Sequence, residues 1–259
     1  MFPNSEQMDV TNEDEVKRVF DQVKPDVVVH AAAETNVDKC EVHRNAALMV
    51  NSEGTRIVAK ACEMGSGRMV YVSTDYVFDG NKGRYTEDDK PNPVNYYGLT
   101  KLMGEKHVTR LCKHSAILRT SVLYGVHVER PNFAMWVVRN LKQGNPLTIV
   151  EDHFNSPTLA NSLARSILEI ANKGLEGIYH TAGCDRMSRY KFATKIAEAF
   201  DLDASLIKPI KMAELKEWTA KRPKDSSLNT NKVRKEIDTE LVGITRGLAE
   251  MKREWINPN

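Results

Sequence analysis

No glycine precedes Gly54 in this 259-residue chain. Its opening segment therefore holds no glycine-rich turn of the kind that brings phosphate against backbone N–H groups at a helix start. Cysteine is scarce: Cys40, Cys62, Cys112 and Cys184 are scattered with no CxxC pair, which speaks against a disulfide framework and predicts reduced thiols. The seven histidines fall into no HxxxH or HxH spacing, so no metal site is expected. Charge of one sign is missing too: 37 basic residues are interspersed with 35 acidic ones for a net +2, and no basic run stands out. Neither nucleic acid nor an anionic membrane surface is implied as a partner. No apolar run approaches the roughly 20 residues that span a bilayer, and the N-terminus lacks a charged start followed by an apolar signal core. Together these absences predict a cytoplasmic protein. What is present, 41% hydrophobic and 28% charged residues, is the composition of a soluble globular chain long enough to bury a real core.

Apolar, β-rich runs alternate with helical periodicity. Val27-Val28-Val29-His30, Arg68-Met69-Val70-Tyr71-Val72-Ser73 and Ala116-Ile117-Leu118-Arg119 read as short strands buried on both faces. Residues 45–64 and 97–111 between them read as helices. Strands alternating with helices predict a parallel sheet covered on both sides, with ligands at the carboxyl ends of the strands. Ala31 to Ala33, Thr74 and Ser121 follow strands and fall at those ends. From Pro131 the rhythm loosens: helix over 133–142, strand over 147–150, a polar loop over 152–158, helix over 159–172 and strand over 177–180. A helix over 188–200, a turn-rich segment over 208–230 and a terminal helix over 245–255 complete the chain. His30 is expected to be packed and hydrogen-bonded, and Met49, Met64 and Met69 to fill the core. A parallel-sheet domain with a smaller interleaved lobe over its strand ends fits this order.

The chemistry is concentrated in Ser73-Thr74-Asp75-Tyr76-Val77-Phe78-Asp79-Gly80 and in Tyr97-Gly98-Leu99-Thr100-Lys101. Tyr97 and Lys101, four apart at a helix start, share one face. A free tyrosine with a pKa of about 10 is a poor proton carrier near neutrality. A neighbouring ammonium favours the phenolate and is expected to lower that value. With Thr74 to hold a carbonyl oxygen beside the phenol, the set describes a site that adds or removes hydride and proton at a C–O centre.

These motifs resemble the extended short-chain dehydrogenase/reductases and, within them, the dTDP-4-dehydrorhamnose reductase branch. The resemblance runs in order along nearly the whole chain. His30-Ala31-Ala32-Ala33 leads to Val37-Asp38-Lys39-Cys40-Glu41, Val50-Asn51-Ser52-Glu53-Gly54-Thr55, the two segments above, Asp152-His153-Phe154-Asn155-Ser156-Pro157-Thr158, and Arg222-Pro223-Lys224-Asp225-Ser226-Ser227-Leu228-Asn229-Thr230. A lone YxxxK is weak, but the ordered set is specific. The resemblance implies an α/β fold: a Rossmann-like dinucleotide-binding domain over 1–127 plus 157–182, and a substrate lobe over 128–156 plus 183–259. It implies Thr74, Tyr97 and Lys101 as catalytic residues. Asp9, Val10, Ala31, Ala32, Ala33, Asn51, Ser73, Tyr97 and Lys101 would hold NADPH or NADH. Thr74, Asp75, Tyr76, Phe154 and Arg222 would bind the substrate, a dTDP-sugar reduced at its 4-keto group, dTDP-4-dehydro-L-rhamnose going to dTDP-L-rhamnose.

One departure matters. The family opens with a strand, a TGxxGxxG turn and a helix, and nothing here matches that unit: the chain starts Met1-Phe2-Pro3 and reaches Asp9 at once. Three accounts stay open: a truncated chain or late start codon, a short protein that has lost cofactor binding, or a missing strand supplied by another chain. Taken literally, the chain is expected to bind dinucleotide weakly and to self-associate through an open sheet edge. A homodimer also stays open. The alternative function is a non-catalytic regulatory subunit resembling the beta subunit of methionine adenosyltransferase, with that enzyme as partner. An epimerase or 4,6-dehydratase fits less well, because a dehydratase needs an acidic pair after the hydroxyl residue and Thr74-Asp75-Tyr76 supplies one acid.

Overall fold

The computed structural model describes residues 7–127 and 132–256. Met1-Phe2-Pro3, residue 128 at the expected domain boundary and Pro131 lie outside the described residues. In chain order the first half holds α1 (Glu13–Val23), β1 (Val27–His30), α2 (Val37–Val42), α3 (Arg44–Leu48), a π-helical turn (Met49–Gly54), α4 (Thr55–Met64), β2 (Arg68–Thr74), α5 (Tyr96–Leu111) and β3 (Ser115–Thr120). Then come β4 (Leu123–Tyr124), α6 (Phe133–Lys142), β5 (Leu147–Val150), β6 (Phe154–Asn155), β7 (Thr158–Leu159), α7 (Ala160–Lys173), β8 (Gly177–His180), β9 (Met187–Ser188), α8 (Arg189–Ala199), β10 (Ile207–Ile210) and α9 (Ile244–Ile256).

Strands β1, β2, β3 and β8 pair in that order, all parallel. Alternate residues of a strand face opposite sides, and the two faces have separate cores. Met69, Tyr71 and Ile117 meet α4 and α5, while Val70, Leu118 and Tyr179 meet Ile170 and Ala171 of α7 together with Val233, Ile237 and Leu241. Strand β1 departs from the expected burial on both faces. Val27 and Val29 are paired with Arg68 and Val70 on the α7 side, but α7 does not reach the edge strand, and they stay 40% and 44% exposed. Helix α1, absent from the expected elements although Val16, Val19, Phe20 and Val23 repeat at helical spacing, covers the other side. Its start is written in Asn12, whose side chain accepts from the N–H groups of Asp14 and Glu15 beneath an acidic first turn.

A second core gathers α6, α8 and α9 around the parallel pair β5–β10, with Phe192, Ile196, Val138 and Leu248 at its centre. Strand β10 runs into the segment expected to be turn-rich; pairing with β5 gives Ile207–Ile210 ladder partners that its own sequence does not announce. Of the methionines, Met69 is buried, whereas Met49 and Met64 are exposed because they point away from the helix face that meets the sheet. His30 donates to or accepts from Thr55 Oγ1 at 3.1 Å and stacks on Tyr71. All four cysteines are free, and among the described residues no helix is long and apolar enough to cross a membrane.

Candidate active site

Strand β2 delivers Thr74 to the carboxyl edge of the sheet, where the chain enters a 3-10 turn at Asp75–Val77. The Thr74 hydroxyl accepts from the Tyr76 N–H at 3.2 Å and donates to Asp75 Oδ1 at 3.2 Å, which fixes its direction. Asp75 is buried. Its Oδ2 accepts from Ser121 Oγ at 2.8 Å and from Ser226 Oγ, and Asn155 Nδ2 donates to Ser226 Oγ at 2.9 Å. Burial pushes the Asp75 carboxyl above its usual range, opposed by the hydroxyl donors of Ser226, Ser121 and Thr74. One carboxylate thus ties the sheet edge to β6 and to the segment around Ser226.

Helix α5 begins against this turn. Asn95 caps it, accepting from the Gly98 N–H at 2.9 Å. Gly98 has no room for a side chain: a Cβ there would stand 2.1 Å from the Tyr76 carbonyl oxygen. One turn and a half later Gly104 does the same service, since a Cβ would fall 2.4 Å from the Tyr71 hydroxyl. The close approach sets Tyr97 edge-on to Tyr76, with ring centroids 5.9 Å apart. Thr74 beside the phenol lowers its pKa, but burial is the larger effect and holds it above the ordinary tyrosine range.

Lys101 does not behave as the sequence suggests. Its ammonium donates to the Val72 carbonyl at 2.9 Å and lies 4.3 Å over the Tyr71 ring, turned from the phenol toward the strand. Only 2% exposed, it is lowered to about 7 by burial, with Glu105 one turn further along α5 pulling the other way. Glu105 is itself committed: it accepts from Ser73 Oγ at 2.5 Å and is gripped by Arg119 at 2.9 and 2.7 Å.

These residues fit the nicotinamide end of a dinucleotide. An ammonium has three donors, and Lys101 spends one on Val72, which leaves N–H groups for ribose hydroxyls. Ala31 and Ala32 are exposed just beyond β1 and present a shelf without bulk. Asn51, in contrast, is fully used inside the protein: Oδ1 accepts from the Glu34 N–H at 2.8 Å and Nδ2 donates to the Glu34 carbonyl and to Thr100 Oγ1, both at 3.1 Å. It ties the loop after β1 to α5 from a π-helical turn, a form frequent at functional sites. Ser73 is likewise spent on Glu105. Val10 is buried in the α4 core, and Asp9 accepts from the Thr11 backbone and hydroxyl, so Asp9 and Val10 stand apart from the Thr74–Lys101 cluster.

A pocket of about 420 Å³ opens beside Tyr76, bordered by Trp136, His153, Arg189, Trp218 and Arg222. Arg222 is paired bidentately with Asp38 at 2.6 and 3.2 Å while its guanidinium covers Trp218. Arg189 makes no ion pair among the described residues. Phe154 lies outside this pocket, under the Arg186 guanidinium at 4.1 Å. Strand alternation explains it: Asn155 of β6 and His153 just before it turn inward and Phe154 outward. Trp136, Arg189 and Trp218 lie in no motif named above, whereas His153 and Ser226 fall inside the 152–158 and 222–230 segments of the resemblance, which gave neither of them a role.

A four-stranded parallel sheet with its hydroxyl, phenol and ammonium gathered at one edge is the Rossmann-like architecture found in sugar-nucleotide reductases and epimerases. The chain belongs to the RmlD substrate binding domain family, whose model matches residues 1–256. It is 35% identical over 258 residues to dTDP-4-dehydrorhamnose reductase of Aggregatibacter actinomycetemcomitans, covering 95% of this chain and 87% of that protein. It is 34% identical over 242 residues to methionine adenosyltransferase 2 subunit beta of Danio rerio, covering 90% of this chain and 72% of that one. The crystal structure of dTDP-4-dehydrorhamnose reductase from Bacillus anthracis in complex with NADP superposes with a TM-score of 0.92 at 32% identity, over 97% of this chain and 89% of that one.

Proposed function

We propose that this chain is an oxidoreductase that reduces the 4-keto group of a nucleotide-linked sugar, dTDP-4-dehydro-L-rhamnose to dTDP-L-rhamnose. The observation that carries the reading is the Thr74 hydroxyl beside Tyr97, with Tyr76 between that pair and a pocket that holds the Arg189 guanidinium and two indole rings. NADPH or NADH, when bound, supplies the hydride. Lys101 and Tyr97 hold its nicotinamide riboside, and Ala31, Ala32 and Ala33 lie along it. Thr74 turns its hydroxyl proton from Asp75 to the carbonyl oxygen, and Tyr97 donates its phenolic proton to that oxygen as the alcohol forms. Lys101 serves the ribose rather than the phenol, because its ammonium is turned toward the Val72 carbonyl and the Tyr71 ring. Asn51, Ser73 and Asp75 hold the frame, Tyr76 and Arg222 border the substrate, and Arg189 offsets the charge of its phosphates.

In this reading residues 1–127 with 157–182 carry the dinucleotide, and residues 128–156 with 183–259 carry the sugar nucleotide. Both ligands are soluble metabolites, which favours a cytoplasmic protein, and sedimentation decides whether it is a homodimer. The test is NAD(P)H oxidation on adding dTDP-4-dehydro-L-rhamnose. Tyr97→Phe is expected to lower kcat by about 10²–10⁴-fold, the range for a general acid; full activity in that variant rejects the assignment. The similarity to methionine adenosyltransferase 2 subunit beta supports a second reading, a regulatory subunit on the same fold. Co-purification with a methionine adenosyltransferase, together with turnover that Tyr97→Phe leaves unchanged, would favour that one.

A further inference from the structure

Of the side chains around the pocket, His153 is the one whose buried polar atoms have no partner among the described residues: neither Nδ1 nor Nε2 makes a hydrogen bond. The residue is 1% exposed. A neutral imidazole carries one N–H donor and one acceptor, and native proteins rarely bury such groups unmatched. The ring is held firmly. Strand β6 pairs with β9, the Arg189 N–H donates to the His153 carbonyl at 3.0 Å, and the imidazole stands edge-on to Trp218 at 5.6 Å and tilted against Tyr76 at 6.4 Å. A side chain fixed on three sides with both nitrogens idle is prepared for a ligand rather than for the fold.

The surroundings say which part of a ligand. Tyr76 separates His153 from Tyr97, so His153 faces a portion of the substrate removed from the reacting carbon. The Arg222 guanidinium is neutralised by Asp38, whereas Arg189 keeps its charge and covers the Phe133 ring at 5.0 Å. A guanidinium that makes no ion pair among the described residues, though it feels Tyr76 and the Asp75 carboxylate, suits an anion joined to a planar ring when set beside a neutral donor and indole faces.

We propose that His153 is a specificity-determining residue whose imidazole N–H donates to a phosphate oxygen of a nucleoside diphosphate, with Arg189 taking the charge. The inference rests on reading the pocket as one for a nucleotide-linked sugar. Calorimetric titration of thymidine diphosphate into the full chain tests it without any turnover. His153→Phe keeps a flat ring and loses the donor, and is expected to bind about 10–100-fold more weakly, the range for one charge-assisted hydrogen bond. His153→Gln restores a donor and is expected to bind within about threefold of the parent. Should Phe disturb folding, His153→Met reads the same loss with a more adaptable side chain. In steady-state kinetics KM for the sugar nucleotide rises in His153→Phe while kcat holds. A folded His153→Phe or His153→Met that binds thymidine diphosphate like the parent overturns the proposal, as does a parent that binds none. A parent that binds it yet oxidises no NAD(P)H fails as a reductase and leaves the role of His153 standing.

Discussion

Replacing Glu105 by glutamine tests how the floor of the site is held. The carboxylate is buried beside Arg119, with side chains 4% and 2% exposed, and its oxygens accept from Ser73 and from two guanidinium nitrogens. Glutamine removes the negative charge and turns one acceptor into a donor facing donors. Among the described residues Arg119 has no second hydrogen-bond acceptor: its remaining Nη1 is buried without a partner, and the guanidinium lies over the Phe78 ring at 5.1 Å. Stranding a buried charge costs about 3–5 kcal/mol. At about 2–4 °C per kcal/mol for a chain of this size, the thermal midpoint should fall by roughly 6–20 °C. Urea unfolding followed by circular dichroism measures the same loss, with an unchanged m-value as control. The apolar double replacement Glu105→Leu with Arg119→Met should recover most of it, because the stranded charge goes with its partner. A Glu105→Gln protein within about 1 kcal/mol of the parent would show that the pair is solvated or exchanges partners, and the account of the floor would fail. The substitution has a second consequence: Glu105 supports the Lys101 ammonium, so its loss moves the alkaline limb of any Lys101-dependent activity to lower pH.

Lys101→Met should abolish most turnover yet stabilise the fold. Burial lowers Lys101 from 10.5 to about 7, so the unfolded chain holds more protons between those values. The parent therefore gains stability as pH rises through that window and carries the full penalty below it. Unfolding curves at pH 6 and pH 10 should show Lys101→Met ahead by several kcal/mol, in order of magnitude, at the lower pH and near parity at the upper; a parent whose stability is flat across the window refutes it. Gly98→Ala places a methyl 2.1 Å from the Tyr76 carbonyl oxygen, so α5 or the 75–77 turn must shift. A loss of about 1–3 kcal/mol in stability and of about 10² in kcat/KM is expected, and a variant with parental kinetics would mean the contact relaxes at no cost to the site.

Local signals suffice for much of this molecule. The β-branched runs in β2 and β3 can only be buried strands, and Asn95 followed by Tyr97 and Lys101 writes a capped helix with one reactive face, because cap and spacing act within a turn and a half. The alternation of such elements dictates a parallel sheet and hence the edge where Thr74, Ala31 and Ser121 gather. Other features depend on groups distant in the chain. Ser226 closes on Asp75 across 151 residues, β10 becomes a strand only because β5 offers it a ladder, and Val27 and Val29 are exposed because α7 stops short of the sheet edge. The direction of the Lys101 ammonium follows from burial against Tyr71 and Val72 rather than from its spacing to Tyr97. His153 and Arg189 meet through the β6–β9 pairing, and the same pairing sends Phe154 outward. Spacing along the chain reaches about one helical turn, whereas desolvation and partner choice are properties of the packed interior, so which side chain stays unpaired in the pocket was decided by tertiary structure alone.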